Sequence, residues 1–525
     1  MFGFYDSGYV LARLIFERLL GLVYLIAFLS TLAQFRALCG ERGLLPAPRY
    51  LRAAGFRRSP SLFHLHYSDR LADALAALGA VLSGAVVLGL TDVVPLPVAM
   101  AVWAALWVLY LSFVNAGQAF YGFVWEMLLL EAGFLAIFLG NADTAPPIAA
   151  VFLLRWLLVR LEVGAGLIKV RNDPAWRDLT ALYYHHETQP IPNRFSWYFH
   201  HLPKPIHRLE VLGNHVAQLI VPFGLLCPQP IASVSAGIVI VTQLWLMVSG
   251  NFAWLNLLAV ALATLALDGR FLAALVPIEP TPAPDGPLWF TITVTILTVA
   301  MVLLSWAPVR NMASRHQLMN ATFNRLYLGN TYGLFGHITR TRLELVIEGT
   351  DDQPESDPTW KAYEFRAKPG ILTRRPRQVA PYHLRLDWLM WFAAMSPPYA
   401  EAWLLSLVVK LLQGDPVTLR LLATNPFPEG PPKYLRILLY VYRFTTREER
   451  RSTGAWWTRG CVGDYLPPAT LRATPDADRS VQAPGSAQPD ISSRAAPPAG
   501  KAEHDARTRG RARRNRPPSG HTTAG

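Results

Sequence analysis

Charge is scarce in this chain. Only 16% of its residues are Asp, Glu, Lys or Arg, against about 25% in an average soluble domain. With 52% hydrophobic residues and a mean hydropathy of +0.24 over 525 residues, an ordinary soluble globule and a disordered chain are both excluded. Cysteine is scarcer still. Cys39, Cys227 and Cys461 sit in different segments with no CxxC, which excludes a disulfide scaffold and a structural zinc site. No phosphate-binding Gly-rich loop, GxSxG elbow or HExxH pair occurs. The net charge of +13 comes without an RRM, zinc-knuckle or helix-turn-helix pattern, so no nucleic-acid partner is expected. The Arg residues instead flank apolar runs, as membrane topology requires. Residues 1–7 lack the positive start of a secretory signal.

What the chain has in abundance is long apolar runs, and a span needs about 20 residues to cross the hydrocarbon. Runs at 14–35, 71–90, 96–115, 120–140, 148–169, 209–226, 231–249, 252–267 and 288–307 predict a mainly α, multi-pass helical transmembrane domain of about nine spans. Pro95/Pro97 and Pro146/Pro147 mark two tight connections. The 36–70 and 169–208 connections are Arg/Lys-rich, and with nine spans the positive-inside rule puts both, and everything after Arg310, in the cytoplasm. From there the pattern changes. Alternation at 343–348, 360–368 and 434–444 predicts strands; helical spacing at 386–394 and 399–413 predicts helices. The expected organisation is a membrane domain (1–309), a small soluble α+β, β-sandwich-like domain (310–466) and a disordered Pro/Ala/Arg-rich tail (467–525).

Ionisable residues inside predicted spans are the first candidates for chemistry, because a charge at the bilayer centre costs at least ~2.5 kcal/mol unless paired or wet. Glu126 and Glu131 lie in the fourth span; Arg155, Arg160 and Glu162 lie in the fifth, which ends at Lys169. Seven steps return a helix to within about 20°, so Arg155, Glu162 and Lys169 share one stripe. Pairing of Glu126 and Glu131 with Arg155 and Arg160 is the expected structural role, and a polar cavity is the functional alternative. Gly164-Ala165-Gly166 suits a close helix seam. The following loop offers a candidate client surface: Asp173, Trp176, Arg177, Asp178, His185, His186, Glu187, His200 and His201. Adjacent His pairs chelate one ion poorly, so no metal and no cofactor are expected; an interfacial aromatic and His belt is the plainer reading. Asp351-Asp352 reads as a hairpin turn and Trp456-Trp457 as a domain anchor.

Longer motifs add a resemblance. The runs Tyr121 to Leu139 (Tyr-Gly-Phe-Val-Trp-Glu-Met-Leu-Leu-Leu-Glu-Ala-Gly-Phe-Leu-Ala-Ile-Phe-Leu), Gly164 to Thr180 (Gly-Ala-Gly-Leu-Ile-Lys-Val-Arg-Asn-Asp-Pro-Ala-Trp-Arg-Asp-Leu-Thr) and His186-Glu-Thr-Gln-Pro-Ile-Pro-Asn193 resemble signatures of the lipase maturation factor family, as do Phe199-His-His-Leu-Pro203, Ser249-Gly-Asn251 and Asn256-Leu-Leu258. Leu343 to Thr350, Trp360 to Phe365, Arg385-Leu-Asp-Trp388 and Asn425-Pro-Phe-Pro428 continue it, with Glu348, Thr350, Trp360, Asp387 and Trp388 as the candidate residues of the soluble domain. The resemblance implies a multi-pass endoplasmic reticulum protein that helps secreted lipases fold into active dimers, a folding factor rather than an enzyme, with its soluble domain lumenal. The Arg/Ala/Pro bias suits a GC-rich, bacterial genome, for which the plasma membrane is the expected site. A fainter similarity joins Gly164-Ala-Gly-Leu-Ile-Lys169 and Trp176 to vitamin K-dependent γ-carboxylase-like enzymes, which implies Lys169 as a base. A lipid or small-molecule transporter is the third expectation, resting on the intramembrane charges alone.

Overall fold

The computed structural model describes residues 3–275, 283–471 and 481–482. The chain opens on a 30-residue helix, α1 (Val10–Cys39), whose Leu20, Val23, Tyr24, Ala27 and Phe28 are wholly buried. The second helix, α2 (Asp69–Val87), starts where the Ser68 hydroxyl accepts the Leu71 N–H at 3.1 Å. It lies so close to α1 that a Cβ on Gly21 would come within 2.9 Å of a Val86 methyl. Pro95 and Pro147 precede α3 (Leu96–Ala116) and α5 (Ile148–Asn172), with α4 (Val124–Ala136) between them. Then follow α6 (Leu182–Thr188), α7 (Lys204–Leu219), α8 (Ile231–Ser249), α9 (Leu255–Thr264) and α10 (Leu288–Ala313).

Among the described residues, four helices are long and apolar enough to cross a membrane: α2, α3, α8 and α10. A fifth span results if α9 and the helix Gly269–Leu275, bent by 116° at a short break, count as one. Length and composition thus support four or five spans rather than nine. The reasons are local. The 120–140 run yields only the 13-residue α4, roughly 20 Å long. The 209–226 run breaks at Ile220 between α7 and the short helix Val221–Gly224. The 148–169 run is one helix, but it carries Arg155, Arg160 and Glu162, all buried in protein.

The C-terminal segment is α+β, and its strands form a single antiparallel sheet rather than a sandwich. Strands β1 (Arg342–Thr350), β2 (Lys361–Ala362), β3 (Tyr434–Phe444), β4 (Trp457–Leu471) and β5 (Val481–Gln482) are ordered β2-β1-β3-β4-β5. The expected 360–368 strand shrinks to two residues. The 15-residue β4 went unforeseen: Gly460, Gly463 and Pro467-Pro468 break its alternation, and its register against β3 shifts at bulges. Residues 467–471, expected in the tail, complete β4, and 481–482 pair with it; the tail's remainder, 472–480 and 483–525, lies outside the described residues. Helices α11 (Arg385–Met395) and α12 (Pro397–Leu412) match the helical spacing. One hydrophobic core runs without a break from Phe28 and Leu128 of the helical half to Leu345, Trp388 and Ile437. Ser30 and Gln34 near the end of α1 donate to the His383 carbonyl at 3.1 and 2.7 Å, and Arg375 donates to Arg194 O at 3.0 Å. The sheet-bearing segment therefore lies on the same side as the end of α1 and the 186–201 loop. Glycosylation acceptors placed at the exposed turn around Asp352 and beside exposed Arg57 should both be modified in microsomes, or neither; modification of one alone would break this arrangement.

Candidate functional site

The α5 stripe forms as its spacing requires, and its members do different things. Arg155 donates from Nε and NH2 to Leu265 O at 3.0 and 2.7 Å and from NH1 to Leu225 O at 3.4 Å. It thus satisfies carbonyls left open where two helices end. Glu162 accepts from Gln218 Nε2 at 3.1 Å and Gln243 Nε2 at 2.6 Å. Gln218 in turn accepts from Lys169 Nζ at 2.8 Å, Asn214 accepts from it at 3.2 Å, and the ammonium lies 4.8 Å from the Trp176 ring centre. The result is a continuous chain, Gln243–Glu162–Gln218–Lys169–Asn214, built from α5, α7 and α8. It forms the polar wall of a cavity of ≈ 260 Å³ whose other walls are mostly apolar, with Phe252, Leu246 and Phe335 among them. The close approach of α5 and α7 depends on Gly166, where a Cβ would meet Leu219 Cδ2 at 2.7 Å.

The buried carboxylates of α4 find partners, one of them unforeseen. Glu131 pairs with Arg160, and its Oε2 also accepts from Asn330 N at 3.2 Å and Tyr332 OH at 2.7 Å. Glu126 does not meet an α5 arginine. It accepts from Arg385 NH1 at 2.5 Å and from the Tyr110 hydroxyl, while Arg385 also donates to Phe120 O at 3.0 Å and stacks 3.5 Å from the Tyr121 ring centre. The correction has a simple cause: Arg155 and Arg160 are already committed to Leu265 and Glu131.

Much of the expected client surface is interior. Asp173, Trp176 and His186 are buried, whereas Arg177 and Asp178 are exposed. Asp173 caps the turn after α5 by accepting from Ala175 N at 2.9 Å, and it also takes Ile338 N at 2.9 Å and Arg340 NH2 at 3.0 Å. Burial alone would raise its pKa, but these donors outweigh it and hold the carboxyl below the usual range. Trp176 donates to Phe335 O at 2.8 Å. His185 faces the cavity beside Phe252 and Phe335. Burial, with neighbouring imidazoles, pushes His186 well below its ordinary pKa and His200 down to about 4, so both are neutral at pH 7. Glu187 accepts from Phe444 N at 2.7 Å, and burial raises its pKa. His201 Nδ1 lies 2.7 Å from Trp197 O.

In the C-terminal segment, Glu348 pairs with Arg436 at 2.8 Å, whose guanidinium lies 4.1 Å from the Trp360 ring centre. Thr350 accepts from Asp352 N at 3.2 Å, within a turn. Asp387 accepts from Ala367 N at 2.6 Å and Lys368 N at 3.0 Å; burial still raises its pKa. Trp388 packs against Trp125 and Phe123. Sequence reasoning missed Arg342, Glu344 and Lys368. Arg342 pairs with Glu344 at 2.5 Å and donates to Glu187 O, Gln189 O and Pro190 O at 2.9, 2.5 and 3.0 Å; Lys368 reaches Glu344 at 3.0 Å. The sequence carried no signal for them: alternation puts Arg342 and Glu344 on the face opposite Leu343, Leu345 and Ile347, where charge reads as solvated. These bonds make the His186-to-Asn193 motif a fastener for the C-terminal segment.

Comparison with known proteins covers the same two halves. A family described as the lipase maturation factor transmembrane domain matches residues 11–274, and one described as the lipase maturation factor C-terminal domain matches residues 328–467. Lipase maturation factor 1 of Mus musculus is 38% identical over 88% of this chain and 87% of its own length. The Homo sapiens lipase maturation factor 1 is 38% identical over 88% of each chain. The human lipase maturation factor 2 is 30% identical over 89% of this chain and 83% of its own. No solved structure matches.

Proposed function

The chain belongs to the lipase maturation factor family, and from that premise we propose that it is a membrane-bound folding factor for secreted lipases. We place it in the endoplasmic reticulum membrane, as the family resemblance implies, with the sheet-bearing segment and the 186–201 loop together on the lumenal face where clients emerge. The observation that carries the reading is identity of 38% across both halves of the chain with proteins named for lipase maturation. The fasteners described above support it physically, since they hold the C-terminal segment as a rigid platform on the membrane helices. Removing residues 340–466 would be a poor test, because it would strip Arg385 from Glu126 and destabilise what remains. The cleaner experiment is rescue: cells lacking their own lipase maturation factor 1 receive this chain, and lipase activity per secreted lipase molecule is measured. Restored specific activity supports the proposal; unchanged specific activity with the chain well expressed overturns it.

One observation favours a second reading, an enzyme: Lys169 faces a largely apolar cavity. Its ammonium is nevertheless occupied by Gln218 and Asn214. For a folding factor, Lys169→Met should leave lipase specific activity within about twofold of wild type. A catalytic base would instead cost roughly 10²-fold or more with the amount of folded protein unchanged, and the same rescue assay separates the two.

A further inference from the structure

We propose that His186, His207 and Glu210 form a binding site for a divalent cation that favours imidazole, Zn²⁺ being the best match. The site goes beyond the folding role and departs from the sequence expectation of no metal, which rested on adjacent histidines and the lack of an HExxH pair. Here the three ligands come from two helices. His186 stands in the last turn of α6; His207 and Glu210 stand three residues apart on one face of α7. Their ligating atoms all lie within 4.8 Å of one another. His207 Nδ1 and Glu210 Oε2 are 3.4 Å apart, which is roughly the edge of a tetrahedron whose bonds are about 2.05 Å long. The His186 nitrogen lies within 4.8 Å of both, so a bound ion would draw the three groups closer together.

The second observation is a concentration of polar atoms without partners. His186 and His207 are 3% and 2% exposed. Among the described residues, neither nitrogen of either ring has a hydrogen-bond partner, and neither does Glu210 Oε2. A buried donor or acceptor left without a partner is unfavourable, and three of these atoms, one from each side chain, lie within 4.8 Å of one another. A cation that accepts one lone pair from each side chain gives three of the five atoms a partner at once. The surroundings suit ligation: Trp245 Nε1 donates to Glu210 Oε1 at 2.9 Å, leaving Oε2 aimed at the histidines. Phe199 stacks on His186 with ring centres 5.4 Å apart, and Tyr183 meets the His207 ring at 5.9 Å. Because His186 and Glu210 belong to the wall of the ≈ 260 Å³ cavity, a three-ligand ion would keep its remaining position toward that space, the arrangement of zinc sites that bind a further ligand.

The test uses the full chain purified in detergent without a polyhistidine tag and dialysed against metal-free buffer. Zn²⁺ titration should give about one ion per chain, and Co²⁺ should give the visible absorption of a four-coordinate ion. His207→Asn or Glu210→Gln should weaken binding by more than the roughly 10–100-fold that loss of an outer partner costs; Trp245→Phe should fall within that range. His201→Asn, outside the triad, should bind as wild type. A folded wild type that takes up neither Zn²⁺ nor Co²⁺ overturns the proposal, and so does binding that survives in folded His207→Asn. If the ligand variants do not fold, the Co²⁺ spectrum of wild type alone decides: nitrogen and oxygen ligation of one ion supports the site, and its absence refutes it.

Discussion

Arg385→Met should remove most of the folded protein. The guanidinium is the only cation hydrogen-bonded to Glu126 among the described residues, and both side chains are fully buried. Removing one member of a buried pair costs about 3–5 kcal/mol because the other charge is stranded. Total stabilities run to only about 5–15 kcal/mol. Glu126→Gln should be milder, since Arg385 keeps Phe120 O and the Tyr121 ring. The double variant Glu126→Gln/Arg385→Met should recover part of the loss, because no unpaired charge then remains. Melting of detergent-extracted protein, followed by fluorescence-detected gel filtration, measures all three. A folded Arg385→Met with the wild-type melting temperature would rule out this pair as a major brace.

The second large effect belongs to Arg342. This one side chain gathers three carbonyls of the 187–190 turn and the Glu344 carboxylate. Arg342→Met strands three buried acceptors and leaves Glu344 with Lys368 alone. A loss of about 3 kcal/mol or more is expected, concentrated at the joint between the helical half and the sheet. Limited trypsin digestion should then cut the 314–341 connection faster than in wild type and release a sheet-bearing fragment. An unchanged cleavage pattern would mean that the joint is held elsewhere.

Which features could be read from the chain follows from how far apart their partners lie. The α5 stripe was legible because helical geometry alone relates Arg155, Glu162 and Lys169. Strands β1 and β3 and helices α11 and α12 were legible because their patterns are regular and local. The Glu131–Arg160 pair was among those foreseen, since both charges sat in neighbouring apolar runs with no other obvious mate. Glu126 was misassigned because its partner lies in a segment read as a separate soluble domain, and no periodicity links positions that distant. The span count failed for a related reason: apolarity marks burial equally well in lipid and in protein. Helix α4 is apolar on every side because other helices and α11 surround it, and its 13 residues are too few to cross a bilayer. Strand β4 hid behind its glycines and prolines. The His186–His207–Glu210 group was not legible because it joins two helices, α6 and α7, and no local spacing links residues across the turn between them.

The Glu126–Arg385 brace also sets a clock for the protein's own birth. The two residues are 259 positions apart, so at about 5–20 residues per second a ribosome needs roughly 10–50 s to supply the arginine after the glutamate has been made. Throughout that interval the helical half carries a carboxylate without its mate and cannot close. A premature stop anywhere between α10 and Arg385 makes the wait permanent. Such a message should therefore yield almost no protein at all, rather than a membrane anchor lacking one domain, and cells should clear the product as they clear any chain with an unpaired buried charge. A protein proposed to assist the folding of others would thus need time and protection to finish its own.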